Sequence, residues 1–338
     1  MCEENKNIIR FYFDQNILDS FLKNRLLGLK RMILENDNYR VIYSLPTLSE
    51  FERISESKDR NKFLELLKEL KAEYYSIDDN ELAQFFIDDP KKKYSEVIEE
   101  NEKYNPVIKS MELFLHKLLG GHKGTSMASI VQENRNTFNN LMGMVDEEFQ
   151  KVQADVNIPK DVIDKIILNA KNKYSSTTEE FLNEFSKNVK NDLEYEGIKE
   201  FQKLLSLGPL RLNNIKPPNV IKQIWEVVKI EADAKNINIT YDDLFGDKIW
   251  SFLPKNKIRL VDKINGLYNL LNSLGYHSEP QLHKTRRFNT FVSDTQHSGH
   301  AAYSHCLVSC DERFVKKTEA VYEHLNIGTK IIFIRNLK

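Results

Sequence analysis

Phe291-Val-Ser-Asp-Thr-Gln-His-Ser-Gly-His-Ala-Ala-Tyr-Ser-His-Cys-Leu-Val-Ser-Cys-Asp-Glu-Arg-Phe314 reads as a short apolar approach, a helix, a strand and a turn. Asp294 is expected to open the helix, where free backbone N–H groups and the helix dipole favour an acid. Ala301 and Ala302 let that helix lie close to a neighbour. Cys306-Leu-Val-Ser-Cys310 is a short apolar run of the kind that fits a buried parallel strand. Asp311 stands at its C-terminal end, the edge at which open α/β sheets bind ligands. One acid on a helix start and one on a strand end can then face a single point.

The N-terminal stretch offers the same arrangement. Ile8-Ile-Arg-Phe-Tyr-Phe13 is an apolar, aromatic strand that ends on Asp14, and Asn16 and Asp19 lead into a helix carrying Ile17, Leu18, Phe21 and Leu22. Val41-Ile-Tyr43 is a second strand. Ser44-Leu-Pro-Thr-Leu-Ser-Glu50 follows with a capping residue and a Pro near the first helical turn, and Glu50 lies one turn in. Ala72-Glu-Tyr-Tyr-Ser-Ile77 is a third strand, after which Asp78 or Asp79 is expected to cap a short helix through Glu81, Leu82, Phe85 and Phe86. Strands alternating with helices imply right-handed crossovers and a parallel sheet.

At Asp89-Pro90 the texture changes to Lys, Glu and Asn with apolar residues at helical spacing. Val107, Met111, Phe114, Leu115 and Leu118 form one face; Phe138, Leu141, Met142, Val145, Phe149 and Val152 form another. Val162, Ile163, Ile166, Ile167 and Ala170 suggest a third helix, and Phe181, Phe185, Val189, Leu193 and Ile198 a long fourth. Val220 to Val228 and Ile258 to Leu274 carry two more, the last ended by Gly275. Residues 91–279 thus read as an all-helical insertion. Residues 1–90 and 280–338 close one α/β sheet domain, with Thr329-Lys-Ile-Ile-Phe-Ile334 as an edge or terminal strand.

The ordered set Asp14, Glu50, Asp294 and Ser309-Cys310-Asp311 resembles the PIN-domain family of metal-dependent nucleases. That family's pattern is an acid after the first strand, a Glu in the helix after the second, an acid opening a late helix, and an acid in a Thr/Ser-x-Asp strand end. The resemblance covers residues 1–90 and 280–338, and the helical middle has no counterpart in the small members. It implies a PIN-like parallel-sheet sandwich and hydrolysis of a phosphodiester, leaving a 5′-phosphate and a 3′-hydroxyl, on RNA more than on DNA. Four converging carboxylates repel and raise one another's pKa, a penalty that a divalent cation removes. Oxygen-only ligands suit Mg²⁺ or Mn²⁺. Asp14 and Asp311 are expected to hold the metal directly, Asp294 directly or through water, and Glu50 to hold a second metal or orient the attacking water. Ser309 is placed to hydrogen-bond a carboxylate or a metal-bound water, and His297 to approach a phosphate or that water, or to pack the helix. Lys284, Arg286, Arg287, Lys316 and Lys317 flank the acids in sequence and are candidate phosphate contacts.

Composition narrows the classes. Over 338 residues, 49 Lys and Arg nearly cancel 50 Asp and Glu, for a net charge of -1. Attraction for nucleic acid must therefore come from local patches. Three cysteines, Cys2, Cys306 and Cys310, make no disulfide framework and fit a reducing cytoplasm. No secretory signal and no apolar run near the roughly 18 residues of a membrane span is visible, so no membrane partner is expected.

Competing readings are weaker. Asp19 lies too far into its helix to share the strand-end geometry, and Glu52 points about 200° from Glu50 around a helix. His297, His300, His305, Cys306 and Cys310 match no standard zinc spacing. Gly120-Gly-His-Lys-Gly-Thr-Ser126 lacks the spacing and the preceding strand of a phosphate loop and reads as a helix connection. Asp242, Asp243 and Asp247 read as a loop turn. Phe288, Phe291, Tyr303 and Phe314 are core positions first and base-stacking candidates second. Two other functions remain open: a non-catalytic PIN-like scaffold whose helical part binds a protein partner or a second copy, and a phosphatase or DNA nuclease using the same acids.

Overall fold

A computed structural model describes residues 8–78, 80–102, 104–156, 159–246 and 258–335; Cys2, Asp79, Asp247 and the side chain of Val152 lie outside the described residues. The chain runs β1 (Ile9–Phe13), α1 (Gln15–Leu22), α2 (Leu27–Glu35), β2 (Tyr39–Tyr43), α3 (Leu45–Glu52), α4 (Ser57–Glu69), β3 (Glu73–Ile77) and β4 (Ala83–Phe86). Helices follow: α5 (Pro90–Glu102), α6 (Asn105–Leu118), α7 (Met127–Val156), α8 (Lys160–Asn188), α9 (Ile198–Leu204), α10 (Pro209–Leu212), α11 (Val220–Ala234), α12 (Tyr241–Leu244) and α13 (Leu260–Leu274). The last described elements are α14 (Thr285–Ala301), β5 (Cys306–Ser309), α15 (Glu312–Leu325) and β6 (Lys330–Phe333). Two compact units form: residues 1–98, 201–280 and 289–338, and residues 99–200 and 281–288.

The first unit is α/β. Its six-stranded sheet has the order β4-β3-β2-β1-β5-β6, parallel throughout except for antiparallel β3 and β4. Strand alternation divides β1 between two faces. Phe11 and Phe13 join Ile17, Phe21, Val41, Tyr43, Leu64 and Leu67 in one core. Tyr12 points the other way, with its ring edge-on to His297 of α14 and Tyr75 of β3. A parallel sheet covered on both faces needs apolar residues at nearly every position, and all four residues of β5 are buried.

Behind Tyr12, α14 approaches α13 closely: a Cβ on Gly299 would meet Asn265 Oδ1 at 2.7 Å. Ser298 and Ala301 are fully buried on the same helix. Tyr322 of α15 donates to Ser298 O at 2.6 Å, and α11 and α13 both pack against α15. Residues 201–280 therefore group with the sheet, whereas composition assigned the whole of 91–279 to one helical insertion.

The second unit is helical among its described residues, with α6, α7 and α8 packed together. Phe114 meets Phe181 at 5.0 Å between centroids, and Phe138 stacks on Tyr174 at 4.2 Å. The glycine-rich segment 120–126 joins α6 to α7.

Four sequence expectations are corrected. Residues 83–86 form strand β4, not a helix. Asp78 does not cap a helix but closes a hairpin, its Oδ1 accepting from Asn80 N and Leu82 N at 2.9 Å each and its Oδ2 from Gln84 Nε2 at 3.0 Å. Phe85 and Phe86 suit a pleated surface. Asp294 does not open its helix: α14 starts at Thr285, because Phe288, Phe291, Val292 and Thr295 already repeat at helical spacing and are buried. The third and fourth helical faces of the middle region are one helix, α8, which stops where Val189 turns extended, so Val189, Leu193 and Ile198 leave it.

Candidate functional site

β1 and β5 are neighbours in parallel register, Phe13 opposite Val308. Each ends on an aspartate that caps the next helix. Asp14 Oδ1 accepts from Ile17 N at 3.0 Å at the start of α1. Asp311 Oδ1 accepts from Phe314 N at 3.0 Å at the start of α15. Both carboxylates thus meet free N–H groups and a helix dipole at the C-terminal edge of the sheet. Ser309 joins the two strand ends: its hydroxyl donates to Asp14 Oδ2 and accepts from the backbone N–H of Asp311 at 3.0 Å.

Glu50 enters from α3. Ser293 Oγ donates to its Oε1 at 2.5 Å, and His297 Nε2 lies 3.0 Å from its Oε2. The second contact lacks the geometry of a directed hydrogen bond, and it is an ion pair only when the imidazole carries its second proton. On the other side of the imidazole, Tyr12 Oη bonds Nδ1 at 2.6 Å, and the same hydroxyl reaches Ser44 Oγ at 3.1 Å. Burial pushes the Glu50 carboxyl up, but the charge and contact of His297 and the Ser293 bond outweigh it, and the group is held below its ordinary value. Glu50 therefore stays ionised at neutral pH.

Asp294 sits mid-helix without a cap's help. Its Oδ2 is buried and has no hydrogen-bond partner. Burial, then the negative charge of Asp311, lift its carboxyl well above the ordinary range; Lys317 opposes, and Glu279 and Glu50 add to the rise. Asp14 behaves alike. Burial raises it from 3.8 to about 6 against the Ser309 and Ile17 hydrogen bonds, with Glu50 adding to the rise and His297 opposing. The structure brings Asp14, Glu50, Asp294, Asp311, Ser309 and His297 into one electrostatic neighbourhood in the first unit. Among the described residues, however, no three His, Cys, Asp or Glu side chains are arranged to hold a metal ion.

The expected cations divide. Lys317 is not a surface contact for phosphate: its side chain is fully buried, 3.2 Å from Glu279 Oε1. Lys316 is partly exposed and pairs with Glu319 at 2.8 Å. Lys284, Arg286 and Arg287 are exposed and belong to the second unit. Of the competing acids, Glu52 is exposed and Asp19 pairs with Lys23 at 2.6 Å. Phe288, Phe291 and Phe314 are buried, so none offers a base a free ring face, and Cys306 is buried in its strand.

Four contributors carried little sequence signal. Tyr12 shares the strand face of Asp14 by the two-residue period, a signal that was present. Ser293 is one residue from Asp294 but seemed part of an apolar approach. Glu279 and Tyr268 reach Lys317 from the α13 region, and nothing local to their sequence marks them. Compared with known families, curated proteins and solved structures, the chain finds no match, and its chemistry is read from these residues alone.

Proposed function

We propose that the protein is a divalent-metal-dependent, PIN-like nuclease that hydrolyses phosphodiester bonds, in RNA before DNA. The observation that carries the reading is the pair of adjacent parallel strands, β1 and β5, each ending on a helix-capping aspartate joined through Ser309. Glu50 and the buried Asp294 add charge to the same edge.

The donor set fits Mg²⁺ or Mn²⁺ in kind: it is all oxygen, it includes an unpartnered buried carboxylate oxygen on Asp294, and two of its carboxyls are raised. The side chains would have to turn toward one point to ligate. Asp14 and Asp311 would hold the ion directly, with Asp294 and Glu50 completing the set. A bound divalent ion supplies a water acidic enough to lose its proton near neutral pH and offsets charge on the phosphoryl oxygens. The chain's own residues do the rest. Ser309 fixes Asp14. Ser293 and the His297–Tyr12 pair fix Glu50, whose ionised carboxylate can orient an attacking water. Lys316, in the same unit as the acids, attracts the phosphate backbone, and Lys284, Arg286 and Arg287 remain candidate phosphate contacts on the second unit. A protein partner or self-association through the helical segments, and a cytoplasmic setting, belong to the same proposal. Among the described residues no helix is long and apolar enough to cross a membrane.

The test is incubation with RNA, single-stranded DNA and duplex DNA, with Mn²⁺ or with EDTA. RNA cleavage should need Mn²⁺ and fall on the order of a hundredfold or more in Asp14→Asn and Asp311→Asn. Cleavage that survives in both variants sinks the assignment. One observation favours a second reading, a non-catalytic PIN-like scaffold whose helical part binds protein: no three described side chains are arranged to hold an ion. A melting temperature that no divalent ion raises would select it.

A further inference from the structure

Lys317 lies on α15, six residues after Asp311, and its side chain is fully buried. A lysine is almost never buried completely unless its charge is met. Nζ reaches Glu279 Oε1 at 3.2 Å and Asn272 Oδ1 at 3.5 Å. It also stands over two aromatic faces, Tyr268 at 4.5 Å and Phe291 at 5.6 Å, an arrangement that attracts a cation. Phe291 is one turn before Asp294 on α14, and Asp294 Oδ2 is buried without a hydrogen-bond partner. Tyr268 Oη and Asn272 Nδ2 are likewise buried without partners. Glu279 alone would neutralise one lysine. Burial pulls the ammonium below its ordinary value, and Glu279 first, then Asp294 and Asp311, act to hold its charge.

We propose that Lys317 is a positioning residue: a buried ammonium, paired with Glu279, that supplies positive charge beside the carboxyls of Asp294 and Asp311. It occupies part of the charge deficit that a divalent ion would otherwise fill, a consequence that rests on the divalent-ion reading given above. Removing the lysine should therefore make the pocket bind a divalent ion more tightly while making the ion-free fold weaker. A lysine that merely fills space predicts the loss of stability without the gain in affinity.

The first measurement is thermal denaturation in EDTA of wild type, Lys317→Met, Asp294→Asn and the double variant. Lys317→Met should melt lower, and its loss should shrink in the Asp294→Asn background, where one buried carboxylate no longer needs a counter-charge. Equal losses in both backgrounds would overturn the proposal. Should Lys317→Met not fold, the same cycle is run with Glu279→Gln in every protein, which removes the carboxylate that the missing lysine would strand. The second measurement is calorimetric titration with Mn²⁺. Folded Lys317→Met should bind about tenfold more tightly than wild type, and Lys317→Arg should stay near wild type. Unchanged or weaker binding by Lys317→Met overturns the proposal. A wild type that takes up no Mn²⁺ instead sinks the divalent-ion reading, and the coupling measured in EDTA alone then supports or overturns the role of Lys317.

Discussion

Asp14 accepts two hydrogen bonds, yet burial still raises its carboxyl from 3.8 to about 6. The folded chain therefore binds a proton here that the unfolded chain releases. The contribution to stability is fully present below about pH 3.8 and is lost as pH rises through about 6. A shift of about two units corresponds to about 3 kcal/mol. In EDTA, Asp14→Asn should melt a few degrees above wild type at neutral pH, and the gap should close toward about pH 4. A variant that melts lower at neutral pH would show that the two hydrogen bonds outweigh burial. Tyr12 makes the opposite case. Its hydroxyl satisfies His297 Nδ1 and reaches Ser44 in a fully buried setting. Tyr12→Phe leaves those groups short of a partner and should cost about 1–3 kcal/mol in urea denaturation. An unchanged midpoint would mean that the tyrosine only fills space. Asp14 and Asp311 were legible as helix caps after strands because such positions have local sequence rules, whereas Asp294 was misplaced. Their buried partners were not legible, because a hydrogen bond such as Tyr12 to His297 joins residues 285 apart in sequence.

At the scale of elements, local signals worked where a chain-stopping residue agreed with the apolar period. Val261, Ile264, Leu267, Leu271 and Leu274 are buried at helical spacing on α13, and Gly275 ends it in the left-handed region at φ +104°. A Cβ there would meet Gly208 Cα at 2.7 Å, so the position is strained for alanine in both conformation and space. Gly275→Ala should lose roughly 2 kcal/mol or more, measured by chemical denaturation, and a neutral result would show that the 208–209 turn can move aside. Where no stopping residue stands, the period alone misplaced boundaries. Nothing between Thr285 and Asp294 breaks a helix, so α14 begins nine residues before the acid that seemed to open it. Residues 81–86 carry aromatic side chains that either a short helix or a strand can use. What decides for β4 is a pairing with β3 that no local pattern contains.

At the scale of the molecule, the parallel sheet was legible because β1, β2, β3 and β5 are apolar on both faces and alternate with helices. The division of the helical middle was not. Residues 99–200 and 201–280 share one Lys-, Glu- and Asn-rich texture, and an amphipathic helix states that it has a buried face without stating what covers it. α11 and α13 give that face to α15, while α6, α7 and α8 give theirs to one another. Each unit thus buries its own apolar residues, and this has a measurable consequence. Of the two tryptophans, Trp225 lies on α11, in the unit that contains the sheet, and Trp250 lies outside the described residues. In a Trp250→Phe variant the fluorescence of Trp225 should therefore follow the sheet unit alone, while circular dichroism follows the helices of both. If the acids form a cation site, Mn²⁺ should raise the fluorescence midpoint and leave a separate, fluorescence-silent dichroism transition where it was, because a ligand stabilises only the unit that binds it. A single transition that both probes share, shifted as a whole by Mn²⁺, would show that the two units unfold as one cooperative body.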